Sequence, residues 1–205
     1  MKRCVIVGAA PIERYEDLRA ALRRDDFFIF CDGGLRHAAA LGIEPALIVG
    51  DFDSHERPET DTETIVLPRE KDDTDTVFAA REALRRGFED FLLLGCAGAR
   101  LDHTLGNLGL LLWLQGLGRR AVLMDDYGEL EIVGEGAVAD CFPYFSLLAI
   151  DGPAAGVYIE NAKYPLSGAV IRPDYAYAVS NEPLPGGAQI RVKEGRLLLI
   201  RIRRE

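Results

Sequence analysis

The chain is short of basic residues, of paired cysteines and of long apolar runs. Lysine and arginine number 24 against 33 acidic residues, a formal net charge of -9. That balance excludes general binding to nucleic acid, which needs a basic surface, and fits poorly with an anionic membrane. None of the four cysteines, Cys4, Cys31, Cys96 and Cys141, forms a C-x-x-C pair, and most sit in or beside apolar strand-like runs. They read as reduced thiols of a cytosolic protein. No apolar run approaches the roughly 20 residues that span a bilayer. The N-terminus enters a strand at Cys4–Val7 with no charged-then-apolar leader, so a cytoplasmic location is expected. Internal repeats, low-complexity stretches and long linkers are missing as well. What remains, 48% hydrophobic and 28% charged over 205 residues, is enough for one large globular domain or two small ones.

The first half alternates between apolar runs and amphipathic stretches. Strands are expected at Cys4–Val7, Phe27–Cys31, Ala46–Val49, Thr64–Leu67, Phe91–Leu94 and Ala121–Met124. Helices are expected at Tyr15–Arg24, at Leu35–Leu41, from Asp73 or Thr74 to Arg86, and at His103–Gln115 with Leu105, Leu108 and Leu112 on one face. Such alternation predicts an α/β domain with a mostly parallel sheet and helices on both faces. Past Asp125 the pattern changes to short apolar segments separated by Gly, Pro, Asn and Asp: Glu129–Val133, Tyr144–Ile150, Gly156–Ile159, Gly168–Ile171, Tyr175–Val179, Ala188–Val192 and Arg196–Arg203. These predict an all-β antiparallel sandwich or small barrel. The expected domains are residues 1–127 and 128–205, with the boundary in the region 125–135.

Chemistry gathers where the first-half strands end, and in a parallel sheet those ends share one edge. Asp32-Gly33-Gly34 follows the second strand and opens a helix, where free N–H groups favour anions and glycines admit a ligand to the backbone. A turn capped by Asp32 explains it equally. Gly50-Asp51-Phe52-Asp53-Ser54 follows the third strand. Carboxylates one residue apart point to the same side of an extended chain and are costly together unless neutralised, as Mg²⁺ does. Lys71-Asp72-Asp73-Thr74-Asp75 joins a cation to three acids at a helix start. Capping and the helix dipole account for one or two of those acids but not for the set. Lys71 suits a transferring phosphate, and Asp75 a metal or an attacking hydroxyl. The loop Gly95–His103 is neither the dinucleotide fingerprint nor a Walker loop, since no Gly-Lys-Ser/Thr follows. Within it Arg100 offers a planar fork for phosphate, Asp102 reads as the cap of the next helix, and His103 is either structural or functional. A haloacid-dehalogenase nucleophile at Asp51 is disfavoured, because the pair does not follow the first strand.

Taken in this order, with Asn107, the four stretches resemble the thiamine pyrophosphokinase (thiamine diphosphokinase) family. Asn161-Ala162-Lys163-Tyr164-Pro165-Leu166 and Ser180-Asn181-Glu182 are similar to the family's thiamine-side motifs. The resemblance implies a nucleotide-binding α/β domain, a β-sandwich and a homodimer with thiamine bound where subunits meet. It implies transfer of the terminal diphosphate of ATP to the thiamine hydroxyl, giving thiamine diphosphate and AMP, with Mg²⁺. On that footing Asp51, Asp53 and Asp75 hold metal and phosphates, while Lys71, Arg100 and either Asp73 or Asp75 assist transfer. Asp32, Gly33, Gly34, Ser54, Thr74, Asp102 and His103 line the nucleotide and phosphate cleft. Tyr164, Ser180 and Asn181 face thiamine. Three departures stand out: Asn161-Ala162 replaces a frequent glycine, Ala99 replaces a loop glycine, and Tyr164 stands where some relatives carry Trp. Two other readings stay open on the residues alone: a different acceptor such as a hydroxymethylpterin, and a nucleotide-binding regulatory module without catalysis.

Overall fold

The structure, a computed structural model, describes every residue except 1, 53–58, 69, 71 and 205. It divides into two compact units, residues 1–126 and 127–205.

In the first unit the strands are β1 (Arg3–Val7), β2 (Phe27–Cys31), β3 (Leu47–Gly50), β4 (Thr64–Val66), β5 (Asp90–Leu94) and β6 (Arg120–Met124). They pair in parallel in the order β4-β3-β2-β1-β5-β6. The central strands are apolar along their whole length because both faces are covered. Val5 and Val7 of β1 pack with Leu18 of helix α1 (Glu16–Ala21) and Leu41 of α2 (Ala38–Leu41). Alternation turns Cys4 and Ile6, equally buried, to the opposite face. Helix α3 (Asp75–Arg85) lies against β1, β2 and β3, and α4 (Leu101–Gly116) against β6. Chain order runs outward from β1 through β2 to β4, then resumes on the other side at β5. The carboxyl ends of β1 and β5 therefore flank the topological switch point, where open α/β sheets form their ligand crevice.

Local details depart from the expected pattern in instructive ways. The turn after β2 begins as a 3-10 helix over Asp32–His37 before α2. Helix α3 starts as expected, with Thr74 accepting from the Val77 N–H. Helix α4 begins two residues earlier than expected, so Asp102 lies within its first turn rather than capping it. Its buried face is Asn107, Leu110, Leu111 and Leu114, and Leu105 is exposed. Leucine occurs all round this helix, so periodicity could not select the inward face.

The second unit holds two antiparallel sheets. One orders β7 (Gly128–Val133), β13 (Leu197–Ile202) and β9 (Tyr144–Leu148). The other orders β11 (Leu166–Ile171), β10 (Ala154–Glu160), β12 (Ala188–Arg191) and β8 (Glu135–Val138). Phe145, Leu147, Leu197 and Leu199 from the first sheet share a core with Val138, Val157, Ile159, Ile171 and Ile190 from the second. This is the expected sandwich. The segment Tyr175–Val179 is not a strand: only Ala178 is buried, and its carbonyl alone meets β9, accepting from Leu147 N–H at 2.8 Å.

Candidate functional site

The crevice of the first unit is a cleft of about 400 Å³ at the carboxyl ends of the parallel strands. Its floor is glycine because backbones touch there. A Cβ on Gly8 would lie 2.5 Å from the Gly95 carbonyl oxygen, and one on Gly95 would lie 2.5 Å from that of Gly8. On Gly34 it would meet Val7 O at 2.3 Å, so the second glycine after Asp32 packs the turn onto β1.

Several sequence-predicted residues converge on this cleft. Asp32, Gly33, Thr74, Asp75, Arg100 and His103 all line it. The Oδ1 atoms of Asp32 and Asp75 are buried. Burial above all, then the neighbouring Cys96 and Asp75, and least of all Asp32, hold the Cys31 thiol well above its ordinary pKa. Arg100 pairs with Asp102 at 2.6 Å on the exposed rim, and this hydrogen bond lowers the Asp102 carboxyl below its usual range. Asp102 itself is not in the lining.

Asp51, half-buried, is not in the lining either, but it adjoins it. It follows Gly50, where a Cβ would lie 2.9 Å from Asp32 Cβ. Asp73 is drawn aside to Arg81 of α3 at 2.9 Å. Asp53, Ser54 and Lys71 lie outside the described residues. Among the described residues no group of three His, Cys, Asp or Glu side chains is placed to hold a metal ion. The cleft does supply hard oxygen donors at Asp32, Thr74 and Asp75, and Asp51 follows the Gly50 that packs on Asp32. That chemistry fits a Mg²⁺ that shares its remaining positions with phosphate.

Several lining residues were not singled out from the sequence: Ala9, Ala10, Arg36 and Thr76. Thr76 Oγ1 donates to Asn107 Oδ1 at 2.9 Å, and Asn107 Nδ2 donates to Cys96 O at 2.7 Å. This chain ties α3, α4 and the loop after β5 together. A polar side chain amid the leucines of α4 was its one visible signal.

In the second unit Tyr164 is 59% exposed and Asn181 only 4%. Asn181 Oδ1 accepts from the N–H groups of Tyr164 and Glu182, at 3.0 and 2.9 Å. Its Nδ2 donates to Tyr164 O at 2.8 Å. The amide therefore grips the main chain at Tyr164 and Glu182. Ser180 is exposed, its N–H donating to Ser146 Oγ at 3.0 Å. Lys163 Nζ lies 5.6 Å from the centre of the Tyr164 ring and pairs with Glu182 at 2.6 Å.

Among the described residues five that are not glycine have positive φ: Asp32, Phe52, Ala99, Asn161 and Ser180. Each falls inside one of the motifs read from the sequence. Left-handed backbone is disfavoured for such residues and tends to be kept where function fixes the chain. Two of the sequence departures fall at these positions, and the structure explains the first. Asn161 takes φ 54° and donates from Nδ2 to Pro185 O and Gly187 O, at 3.0 and 2.8 Å. Asparagine thus performs a glycine's backbone task while stapling the neighbouring loop. Ala99 takes φ 54° with no such compensation from its methyl group.

A doubly wound sheet with a glycine-floored, carboxylate-bearing crevice at its switch point, followed by an antiparallel sandwich, defines a two-domain α/β-plus-β class. Two family models match the chain in that order: thiamin pyrophosphokinase, catalytic domain, over residues 18–123, and thiamin pyrophosphokinase, vitamin B1 binding domain, over residues 133–197. The chain belongs to the thiamine pyrophosphokinase family. It is 26% identical to the thiamine pyrophosphokinase of Bacillus subtilis over 211 residues, covering 98% of this chain and 99% of that one. The crystal structure of a Bacillus subtilis thiamine pyrophosphokinase superposes with a TM-score of 0.89 at 22% identity over the full length of both chains. That of a Geobacillus thermodenitrificans thiamin pyrophosphokinase gives 0.84 at 28%, covering 98% of this chain and 97% of that one. Among the described residues no helix is long and apolar enough to cross a membrane.

Proposed function

We propose that the protein transfers the β,γ-diphosphate of ATP to the hydroxyl of thiamine, yielding thiamine diphosphate and AMP. The observation that carries this reading is the catalytic-domain match over a unit whose switch-point crevice brings Asp32, Asp75, Arg36 and Arg100 together. The vitamin B1 binding match over residues 133–197 favours thiamine over a pterin acceptor.

The donor nucleotide lies in the cleft, where the glycine floor lets it approach the main chain and Asp32 accepts from its ribose or base. Arg36 and Arg100 neutralise phosphate charge, with Lys71 as a third cation. Asp75, Asp51 and Asp53 would hold Mg²⁺, which would screen the charge of the transferred diphosphate. Asp75 or Asp73 orients the attacking hydroxyl, and the Arg81 contact makes Asp73 the less available of the two. The rest of catalysis is positioning, as phosphoryl-type transfer requires.

Tyr164 presents its ring to the thiazolium cation, beside Ser180. Asn181 acts behind them as a positioning residue. The active form is a homodimer. Leu101, Leu105, Trp113 and Leu117 support this, because they form an exposed apolar stripe at helical spacing along α4.

Purified protein with ATP, Mg²⁺ and thiamine should form thiamine diphosphate and AMP in equal amounts. AMP release independent of thiamine, or dependent on hydroxymethylpterin instead, would overturn the assignment. Light scattering should return twice the chain mass.

A further inference from the structure

The loop between β1 and α1 walls the cleft through Gly8, Ala9 and Ala10, whose side chains can hold nothing themselves. It is fixed through its main chain. On one side Gly8 N–H donates to Leu94 O and Ala10 N–H to Gly95 O, both at 2.8 Å. On the other, two consecutive residues of the 3-10 turn take two consecutive carbonyls. The Arg36 guanidinium donates to Ala9 O, and His37 Nε2 lies 3.0 Å from Ala10 O.

A carbonyl only accepts, so Nε2 carries the hydrogen. The other ring nitrogen, Nδ1, sits 2.8 Å from Tyr15 Oη. In the neutral ring Nδ1 accepts and the Tyr15 hydroxyl donates. The ring is 3% exposed, and burial lowers its pKa from the ordinary value, which favours that neutral form. A directed chain results: Tyr15 hydroxyl to His37 to Ala10 carbonyl, continued by the Ala10 N–H to Gly95. Nothing in the local sequence marks it, since His37 stands 22 positions from Tyr15 and 27 from Ala10.

We propose that His37, fixed as the Nε2–H tautomer by Tyr15, is a positioning residue that holds the Gly8–Ala10 wall in place for the donor nucleotide. The proposal rests on reading the cleft as the ATP site. His37→Leu and His37→Gln separate the hydrogen bond from the space the ring fills, because only glutamine offers an N–H to Ala10 O. Calorimetric ATP affinity with Mg²⁺ and the KM values for both substrates should be measured on each.

For His37→Leu we expect a fivefold to tenfold weaker ATP affinity, on the order of one lost hydrogen bond. Its KM for ATP should rise in parallel and its KM for thiamine should not change. His37→Gln should stay within about twofold of the parent, the scale of a net hydrogen bond largely kept. Equal ATP affinity in the two variants, or a rise in both KM values alike, would overturn the role of His37 while leaving the ATP site standing. Parent protein that binds no ATP would overturn the site itself.

Discussion

The two units place their functional groups by opposite means. In the first, the cleft is shaped by main chain: glycines in reciprocal contact at Gly8 and Gly95, and carbonyls of Ala9 and Ala10 grasped by Arg36 and His37. In the second, the candidate group is a displayed side chain, Tyr164, backed by one buried amide at Asn181. A polyphosphate has the same shape in every donor, so a rigid main-chain cradle suits it. An aromatic cation is recognised by a face, which a single exposed ring supplies.

The largest effect that would sharpen this contrast is expected at the acid groups. Asp75→Asn should cut kcat by about 10²-fold or more, in the range seen on removing one electrostatic group from an active site. Thermal unfolding should stay near that of the parent. Near-normal turnover would remove Asp75 from the machinery.

Within the second unit, Asn181→Ala and Tyr164→Ala should behave differently. Loss of Asn181 leaves two N–H groups and a carbonyl without their partner in a part-buried site, and should cost about 1 kcal/mol of stability by chemical denaturation. Its thiamine KM should rise as well. Loss of the exposed Tyr164 ring should raise the thiamine KM by about tenfold, worth roughly 1.4 kcal/mol, with stability unchanged. Equal stability losses would break the division between display and support.

Acid should act on the first unit through Glu82. Hydrogen bonds from Arg85, and then from Arg86, hold its carboxyl at about 2, below the ordinary 4.5. A depressed folded pKa gives stability that is complete above about pH 4.5 and is lost as pH falls toward 2. Glu82→Gln should lower stability at pH 7 by about 2 kcal/mol and flatten that acid slope. The smallest expected change is Ala99→Gly. Relief of the left-handed backbone against added chain entropy should leave a gain of about 0.5 kcal/mol in the midpoint of unfolding.

Much of this was legible in the chain because it is written locally. Apolar runs gave the parallel strands, Thr74 its cap, and the Asp- and Gly-rich strand ends the crevice. Three kinds of feature were not. Helix α4 is leucine-rich on every side, so grouping Leu105 with Leu108 and Leu112 on one face did not reveal that Leu105 lies outward. Strand β8 carries one buried apolar residue, Val138, too little for alternation to register, and Tyr175–Val179 alternates without a strand to pair with. The Tyr15–His37–Ala10 chain exists only once the sheet has folded, because the turn after β2 brings His37 to the Tyr15 and Ala10 of the β1–α1 loop. Tyr164, Ser180 and Asn181 were grouped from the sequence as equals, whereas burial separates the ring that meets solvent from the amide that carries it.

That separation reaches beyond the present substrate. At residue 164 the Asn181 amide bonds to main-chain groups, the N–H and the carbonyl, and its oxygen also accepts from the Glu182 N–H. The identity of the side chain at 164 is thereby uncoupled from the scaffold, and an indole, a phenol or a phenyl group can be mounted on the same fixture. Exchange at this one position does not require the sandwich to be rebuilt.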